Sequence, residues 1–266
     1  MSEIKSTRIA GTKEWASESA NIILGCEHRC RYCYARANAL RRKQIPNHDV
    51  WGTEYNRVRP QEVRKRRKLL DGTVMFPTTH DITPEHLDAC LTVIENLLVA
   101  GNRVLLVSKP HLACVQAICG LFPAYREQIL FRFSIGGVDD SVLSYWEPGA
   151  PSFAERIASL SHAFRAGYAT SVSAEPLLQA NKAVELVKLV SPWVTDSVWI
   201  GKMNGIHHRV IPGTDPLAIH AIETGQTDNA VRAVYESLQC FPLVKWKESY
   251  KCVVGIPLAE HAGLDI

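Results

Sequence analysis

Short apolar runs alternate with longer stretches of helical period along most of the chain. The runs are Ile22-Ile23-Leu24, Thr73 to Phe76, Arg103 to Val107, Ile129 to Ser134, Tyr168 to Ser173 and Ser197 to Ile200. Each has the length and residue types of a buried strand. Between them the pattern predicts helices at about residues 34–44, 84–100, 111–121, 152–166 and 180–191. Thr83, Pro84 and Gly101 supply an N-cap, a first-turn proline and a terminating glycine for the second of these. Six strands alternating with helices predict a parallel α/β sheet, either curled into an open barrel or lying flat and doubly wound. Residues 1–19 read as an irregular lead-in and 20–201 as the sheet domain. Residues 202–266 read as a C-terminal extension closing its side or mouth, with a helix at about 228–239 and an amphipathic strand within Val244 to Lys251.

In a parallel sheet, chemistry collects at the carboxyl ends of the strands. The period-two rule places Val107 with Lys109, Arg132 with Ser134, and Ser171 with Ser173 and Glu175 on common faces. Polar residues recurring at strand ends predict a lined cavity; the competing expectation is a set of solvated strand ends.

Composition narrows this picture little. With 266 residues, 46% of them hydrophobic, the chain can bury a substantial core. It has no apolar run of about 18 residues and no secretory leader pattern at Met1 to Arg8, so a cytoplasmic protein without membrane partners is expected. Eight cysteines in that compartment read as ligands and buried thiols. The formal charge is only +3, yet Arg57, Arg59, Arg64, Lys65, Arg66, Arg67 and Lys68 fall close together. That run is either a solvated helix face or a surface that tracks phosphates. Lys245, Trp246, Lys247 and Tyr250 interleave charge and aromatic rings, suiting base stacking or an ordinary amphipathic strand.

The chemistry centres on Cys26, Cys30 and Cys33, three thiols in Cys-Glu-His-Arg-Cys-Arg-Tyr-Cys directly after an apolar run. Zinc would ask for a distant fourth ligand, whereas an iron–sulfur cube on three cysteines leaves one iron open. The spacing resembles the cluster motif of the radical S-adenosylmethionine (radical SAM) superfamily. That resemblance implies a partial (β/α)6 TIM-like barrel, a [4Fe–4S] cluster and S-adenosyl-L-methionine bound at the open iron. One-electron cleavage to a 5'-deoxyadenosyl radical would follow, fed by a reductant such as flavodoxin or ferredoxin.

Over residues 20–200 the chain further resembles the spore photoproduct lyase group. The matching segments are Gly25-Cys26, Tyr32-Cys33-Tyr34, Phe131 to Ile135, Glu147-Pro148-Gly149 with Arg156, and Ala166-Gly167-Tyr168. By this resemblance Lys109 pairs with the cofactor carboxylate, Ser134 hydrogen-bonds the cofactor, and Tyr32 lies against the adenine or shields the cluster. His80 stands where the lyase has a serine near the cofactor, and Glu175, in place of a small residue, is a candidate for ribose hydroxyls. The lyase's hydrogen-donor cysteine has no counterpart in Phe76-Pro77-Thr78-Thr79-His80-Asp81. Cys240 or Cys252 is a candidate replacement, Cys90 reads as core, and Cys114 and Cys119, five apart on a helix, do not share a face for a second cluster. Glu147 and Arg156 are expected to orient a loop by an ion pair, and His207-His208 as solvated loop. The expected function is radical chemistry on a nucleic acid or nucleotide. The competing expectations are a non-catalytic zinc- or cluster-stabilised nucleic-acid-binding module, or a radical SAM enzyme acting on a small molecule held by Arg132, Ser173 and Glu175.

Overall fold

The computed structural model describes residues 9–264. The chain enters through a 3₁₀ turn, Gly11–Glu14, and forms β1 (Glu18–Ser19), β2 (Ile23–Gly25), α1 (Tyr34–Arg41), β3 (Asn56–Val58) and α2 (Pro60–Arg64). A regular series follows: β4 (Thr73–Phe76), α3 (Leu87–Val99), β5 (Arg103–Ser108), α4 (Leu112–Leu121), β6 (Ile129–Ser134), α5 (Asp140–Trp146), α6 (Phe153–Arg165), β7 (Ala169–Ala174), α7 (Ala183–Val190) and β8 (Val198–Ile200). Helices α8 (Ile206–Arg209), α9 (Pro216–Gly225) and α10 (Asp228–Leu238) separate β8 from β9 (Val244–Trp246), after which comes α11 (Glu248–Val254).

Seven strands form one parallel sheet in the order β1-β4-β5-β6-β7-β8-β9. The order follows the sequence, and β1 and β9 are left as edges, so this is a partial TIM-like barrel and not a closed one. Two expectations from the pattern are corrected. Ile22 to Leu24 is not the first barrel strand, because β2 pairs antiparallel with β3 in a separate two-stranded sheet. The first barrel strand is instead Glu18–Ser19, two exposed residues within the expected lead-in that carry no apolar signal. Residues 1–8 of that lead-in lie outside the described residues. At the other end, only Val244–Trp246 of the expected Val244 to Lys251 strand is extended, and it joins the barrel beside β8. The C-terminal region therefore completes the sheet as well as covering it.

Apolar burial sets the outer layer. On α3, Cys90, Val93, Ile94, Leu97 and Leu98 are each at most 1% exposed, and every leucine-sized side chain so removed from water contributes about 1.5–3 kcal/mol. Cys114 and Cys119 are buried in α4, which packs on α6. Helix ends carry the expected chemistry at α6: Ser152 Oγ accepts from Glu155 N, and Gly167 (φ +80°) follows the last turn. Thr83 forms no side-chain cap; its hydroxyl is buried, and its carbonyl accepts from His86 N.

The inner face bears out the period-two reading. Register aligns Val107 with Arg132 and Arg132 with Ser171, and one layer up Ser134 with Ser173. At the lower layer the lumen is filled. Met75, Leu105, Val107 and Trp199 pack with Trp15 from the entering segment, and Arg132 lies under both tryptophans, donating to Ser171 Oγ at 2.9 Å. The entering segment is tied to the far edge of the sheet by Lys247, which is fully buried. Its Nζ donates to Gly11 O at 2.7 Å, lies 2.7 Å from Glu14 Oε1 and sits 3.9 Å from the Trp15 ring centre. Glu248 N donates to the same Glu14 carboxylate. Residues 11–15 thus reach from edge β1 to edge β9.

Candidate active site

Above the filled lumen lies a cavity of about 470 Å³ at the carboxyl ends of the strands, a size within the usual range of small-molecule sites. Cys26, Cys30 and Cys33 all line it. They sit on a loop whose turns are fixed by Arg29 N to Cys26 O and Cys33 N to Cys30 O, both 3.2 Å, with Arg29 at a positive φ of +48°. Two glycines hold the loop from outside. A Cβ on Gly52 would lie 2.3 Å from Cys26 O, and one on Gly149 would lie 2.3 Å from Glu27 O. Gly149 N also donates to His28 O, and Arg31 N to Trp146 O.

Cys33 is the N-cap of α1, its sulfur accepting from Arg36 N at 3.5 Å, so one thiol sits at the positive end of a helix. Burial raises Cys26 well above the ordinary thiol range and pushes Cys30 up to about 12; for Cys26 the neighbouring Asp81 and the other two thiols add to the effect. The buried Cys26 and Cys30 thiols resist ionisation until a cationic centre is present. That donor set fits a metal cluster, which takes thiolates and releases their protons.

Beside the thiols is a charged group that the sequence reading passed over. Asp81 Oδ1 accepts from Lys109 N (2.6 Å) and Ser108 Oγ (3.0 Å). Its Oδ2 lies 3.5 Å from both Lys109 Nζ and Cys26 Sγ and 3.0 Å from His28 Nδ1. Burial pushes the Asp81 carboxyl up, but Lys109 and His28 outweigh it and hold it well below the usual range. Burial likewise lowers the Lys109 ammonium, and Asp81 with Cys30 more than reverses this. Lys109 is therefore a fixed cation on the cavity wall. His28 continues inward to His111, ring nitrogen to ring nitrogen at 2.8 Å.

No family model matches the chain. An uncharacterized protein, ORF301 of Acidianus two-tailed virus, is 27% identical over 177 residues, 63% of this chain and 58% of that protein. The chain therefore spans rather more than half the length of this viral relative. Among solved structures, a spore photoproduct lyase variant with dinucleoside spore photoproduct superposes with a TM-score of 0.56 at 15% identity, covering 91% of this chain and 79% of that one. The chain shares the fold of spore photoproduct lyase. A lyase variant holding both S-adenosylmethionine and the dinucleoside gives 0.54 at 17% identity, over 92% of this chain and 79% of that one. SuiB of Streptococcus suis bound to S-adenosylmethionine gives 0.51 at 9% identity, over 93% and 54%.

Within this fold, Tyr32, His80, Lys109, Ser134 and Glu175 all line the same cavity as the three thiols. Their side chains are engaged differently. The Tyr32 hydroxyl donates to Glu147 Oε1, and Glu147 lies 2.6 Å from Arg156, the loop-orienting ion pair expected from the sequence. Arg156 also donates to Ser134 O, and the Ser134 hydroxyl, at the cavity, has no hydrogen-bond partner among the described residues. His80 has both nitrogens occupied: Nε2 accepts from Ile22 N at 3.1 Å and Nδ1 donates to Asp81 O at 3.0 Å. It is a neutral backbone clasp, and any contact with a cofactor is through ring carbons. Glu175 Oε2 lies 3.4 Å from Lys247 Nζ, so this carboxylate is already partly matched.

Other expected residues fall elsewhere. Arg132 is spent in the lumen below and does not line the cavity, so it cannot hold a substrate there as expected. Trp246 is 7% exposed and stacked on Tyr250, with Lys247 and Lys251 buried too, which removes the base-stacking tail. Cys240 and Cys252 are exposed away from the cavity, and among the described residues its lining holds no thiol beyond Cys26, Cys30 and Cys33. His207 is exposed and pairs with Glu223 at 3.1 Å. Asn21, also unforeseen, pins the cavity loop: its Oδ1 accepts from Thr78 N and Thr79 N, both at 2.8 Å.

Proposed function

We propose that this chain is a radical SAM enzyme carrying one [4Fe–4S] cluster on Cys26, Cys30 and Cys33. The observation that supports this most is that three thiols and the fixed cation Lys109 converge on one cavity at the carboxyl end of the barrel. When bound, the cluster supplies the single electron, drawn from flavodoxin or ferredoxin, that cleaves S-adenosylmethionine to a hydrogen-abstracting radical. The protein's own residues hold the cofactor for that step. Lys109, steadied by Asp81, meets its carboxylate; Ser134 offers a hydroxyl; Tyr32, anchored through Glu147 and Arg156, lies against its adenine; Glu175 takes ribose hydroxyls with the oxygen not directed at Lys247. The surrounding apolar residues, Trp15, Met75 and Val107, keep water from a radical.

The substrate read here is a nucleic acid or nucleotide. The exposed run from Arg57 to Lys68 supports it, as do the dinucleoside-bound lyase structures of the same fold. Phe76-Pro77-Thr78-Thr79 lacks the lyase group's donor thiol, so a substrate radical is resolved without a cysteine from that strand end. No helix among the described residues is long and apolar enough to cross a membrane.

A second reading has one observation in its favour. Ligand atoms of Cys26, His28 and Asp81 lie within 4.8 Å of one another, a group able to take a single zinc ion in a non-catalytic module. One experiment separates the two. Anaerobic reconstitution is expected to yield about four irons and four sulfides per chain, lost on changing Cys26, Cys30 and Cys33 together to alanine, and 5'-deoxyadenosine on adding dithionite and S-adenosylmethionine. Stoichiometric zinc without iron, lost in His28→Ala, decides for the second reading.

A further inference from the structure

The charges lining the cavity do not balance. Asp81 is matched by Lys109, and Glu175 in part by Lys247 behind the wall, which Glu14 shares. Three further cations, Lys13, Lys202 and Arg209, line the same space. Arg209 is half-buried and Lys13 exposed, and neither forms an ion pair with a described residue. Lys202 Nζ has only Asp228, 3.5 Å away and 73% exposed, a pairing of small worth in water. Uncommitted donors accompany them. Among the described residues, the Trp15 indole N–H is buried without an acceptor and the Asn204 side chain has no hydrogen-bond partner.

These residues come from two segments: the entering stretch that reaches across the sheet edges, and the stretch after β8 running through the end of α8. Like charges gathered at one low-dielectric cavity repel each other and attract an anion. In the proposed function the cofactor's carboxylate already belongs to Lys109, so a second anion is wanted. The run from Arg57 to Lys68 contributes no residue to the lining, so it does not supply that anion's contacts. We infer that the substrate is a small molecule bearing an acid group, phosphate or carboxylate, held inside the cavity by Lys13, Lys202 and Arg209. This rests on the proposed function and narrows its substrate from a polymer to a molecule of nucleotide size.

The test is anaerobic equilibrium dialysis on the reconstituted protein with saturating S-adenosylmethionine and no reductant. Thymidine 5'-monophosphate is the phosphate probe, glutarate the carboxylate probe and thymidine the neutral control. At least one anionic probe is expected to bind tenfold or more tightly than thymidine, and Lys13→Gln and Arg209→Gln are each expected to lose roughly tenfold, since a charge-assisted contact goes with each. Which probe binds distinguishes phosphate from carboxylate. Lys13 is exposed, so its variant leaves folding intact and serves where Arg209→Gln does not. Binding of both anions no tighter than thymidine, or unchanged in the two variants, overturns the inference. So does oligonucleotide binding that depends on Arg64, Arg66 and Arg67 while the monophosphate does not bind. Iron content and S-adenosylmethionine binding of the same wild-type sample test the proposed function separately, so either can fail without the other.

Discussion

His80 offers a direct measure of how the cavity wall is held. Burial lowers its imidazole from 6.5 to about 4, because a charged ring in that place would face the peptide N–H of Ile22 with no water to solvate it. A histidine whose folded value lies below its unfolded one favours the native state at high pH. That stability is complete above about 6.5 and is lost as pH falls toward about 4. The full difference is about 3 kcal/mol, and about 2 kcal/mol of it disappears between pH 7 and pH 5. In His80→Gln the amide can accept from Ile22 N and donate to Asp81 O but carries no titratable proton. Urea unfolding of both proteins, in the same metal state at pH 7 and pH 5, should show the native chain losing about 2 kcal/mol more than the variant. Equal losses would show that His80 does not titrate as a buried clasp, and the cofactor contact expected from its position would regain its force.

Three further outcomes are expected. Lys109→Ala should weaken S-adenosylmethionine binding by roughly 1.5–3 kcal/mol, read by dialysis on the reconstituted protein; unchanged affinity would place the cofactor carboxylate elsewhere. Gly149→Ala puts a methyl 2.3 Å from Glu27 O and 2.9 Å from His28 Cα, so iron loading and melting temperature should both fall, with about 1–3 kcal/mol of strain pressed onto the cysteine loop; native values for both would refute the clamp. Trp246→Ala should cost about 3–5 kcal/mol of folding stability by opening a hole between Tyr235 and Tyr250, whereas a base-stacking residue would leave the urea midpoint unchanged.

The parts of this molecule that were legible in the sequence are those whose signal is local. The runs at 73–76, 103–108 and 129–134 are strands because burial on both faces makes largely apolar segments, while 169–174 mixes apolar residues with buried Thr170, Ser171 and Ser173. Period two then put Lys109, Ser134, Ser173 and Glu175 at one end of the sheet, and all four line the cavity. What escaped depends on partners distant in the chain. Glu18–Ser19 is a strand only because β4 offers an edge, and its two exposed residues have no pattern to display. The apolar run at 22–24 was misplaced because β3, with the sequence Asn56-Arg57-Val58, is too polar to advertise a pairing. Asp81 was visible as an acid at a strand end, but its link to His28 crosses over 50 residues and surfaces only in three dimensions. Trp246 and Lys247 carried the opposite error, since charge beside an aromatic ring looks like a wet surface until a buried glutamate is found to meet it.

Lys247 has one more consequence, and it concerns the order in which the protein is made. The cysteine loop leaves the ribosome early, yet the segment at 11–15 that floors its cavity is completed by an ammonium more than 200 residues downstream, which also meets Glu175 on the cavity wall. Until residue 247 has been translated, Glu14 lacks the ammonium that meets it at 2.7 Å, and Trp15 has Arg132 but not Lys247 over its ring. A nascent chain would therefore present its three thiols in a half-built, water-filled trough, open to oxidation and to adventitious metals. Under the proposed function, iron and sulfide would then reach a complete site only after residue 247 is in place.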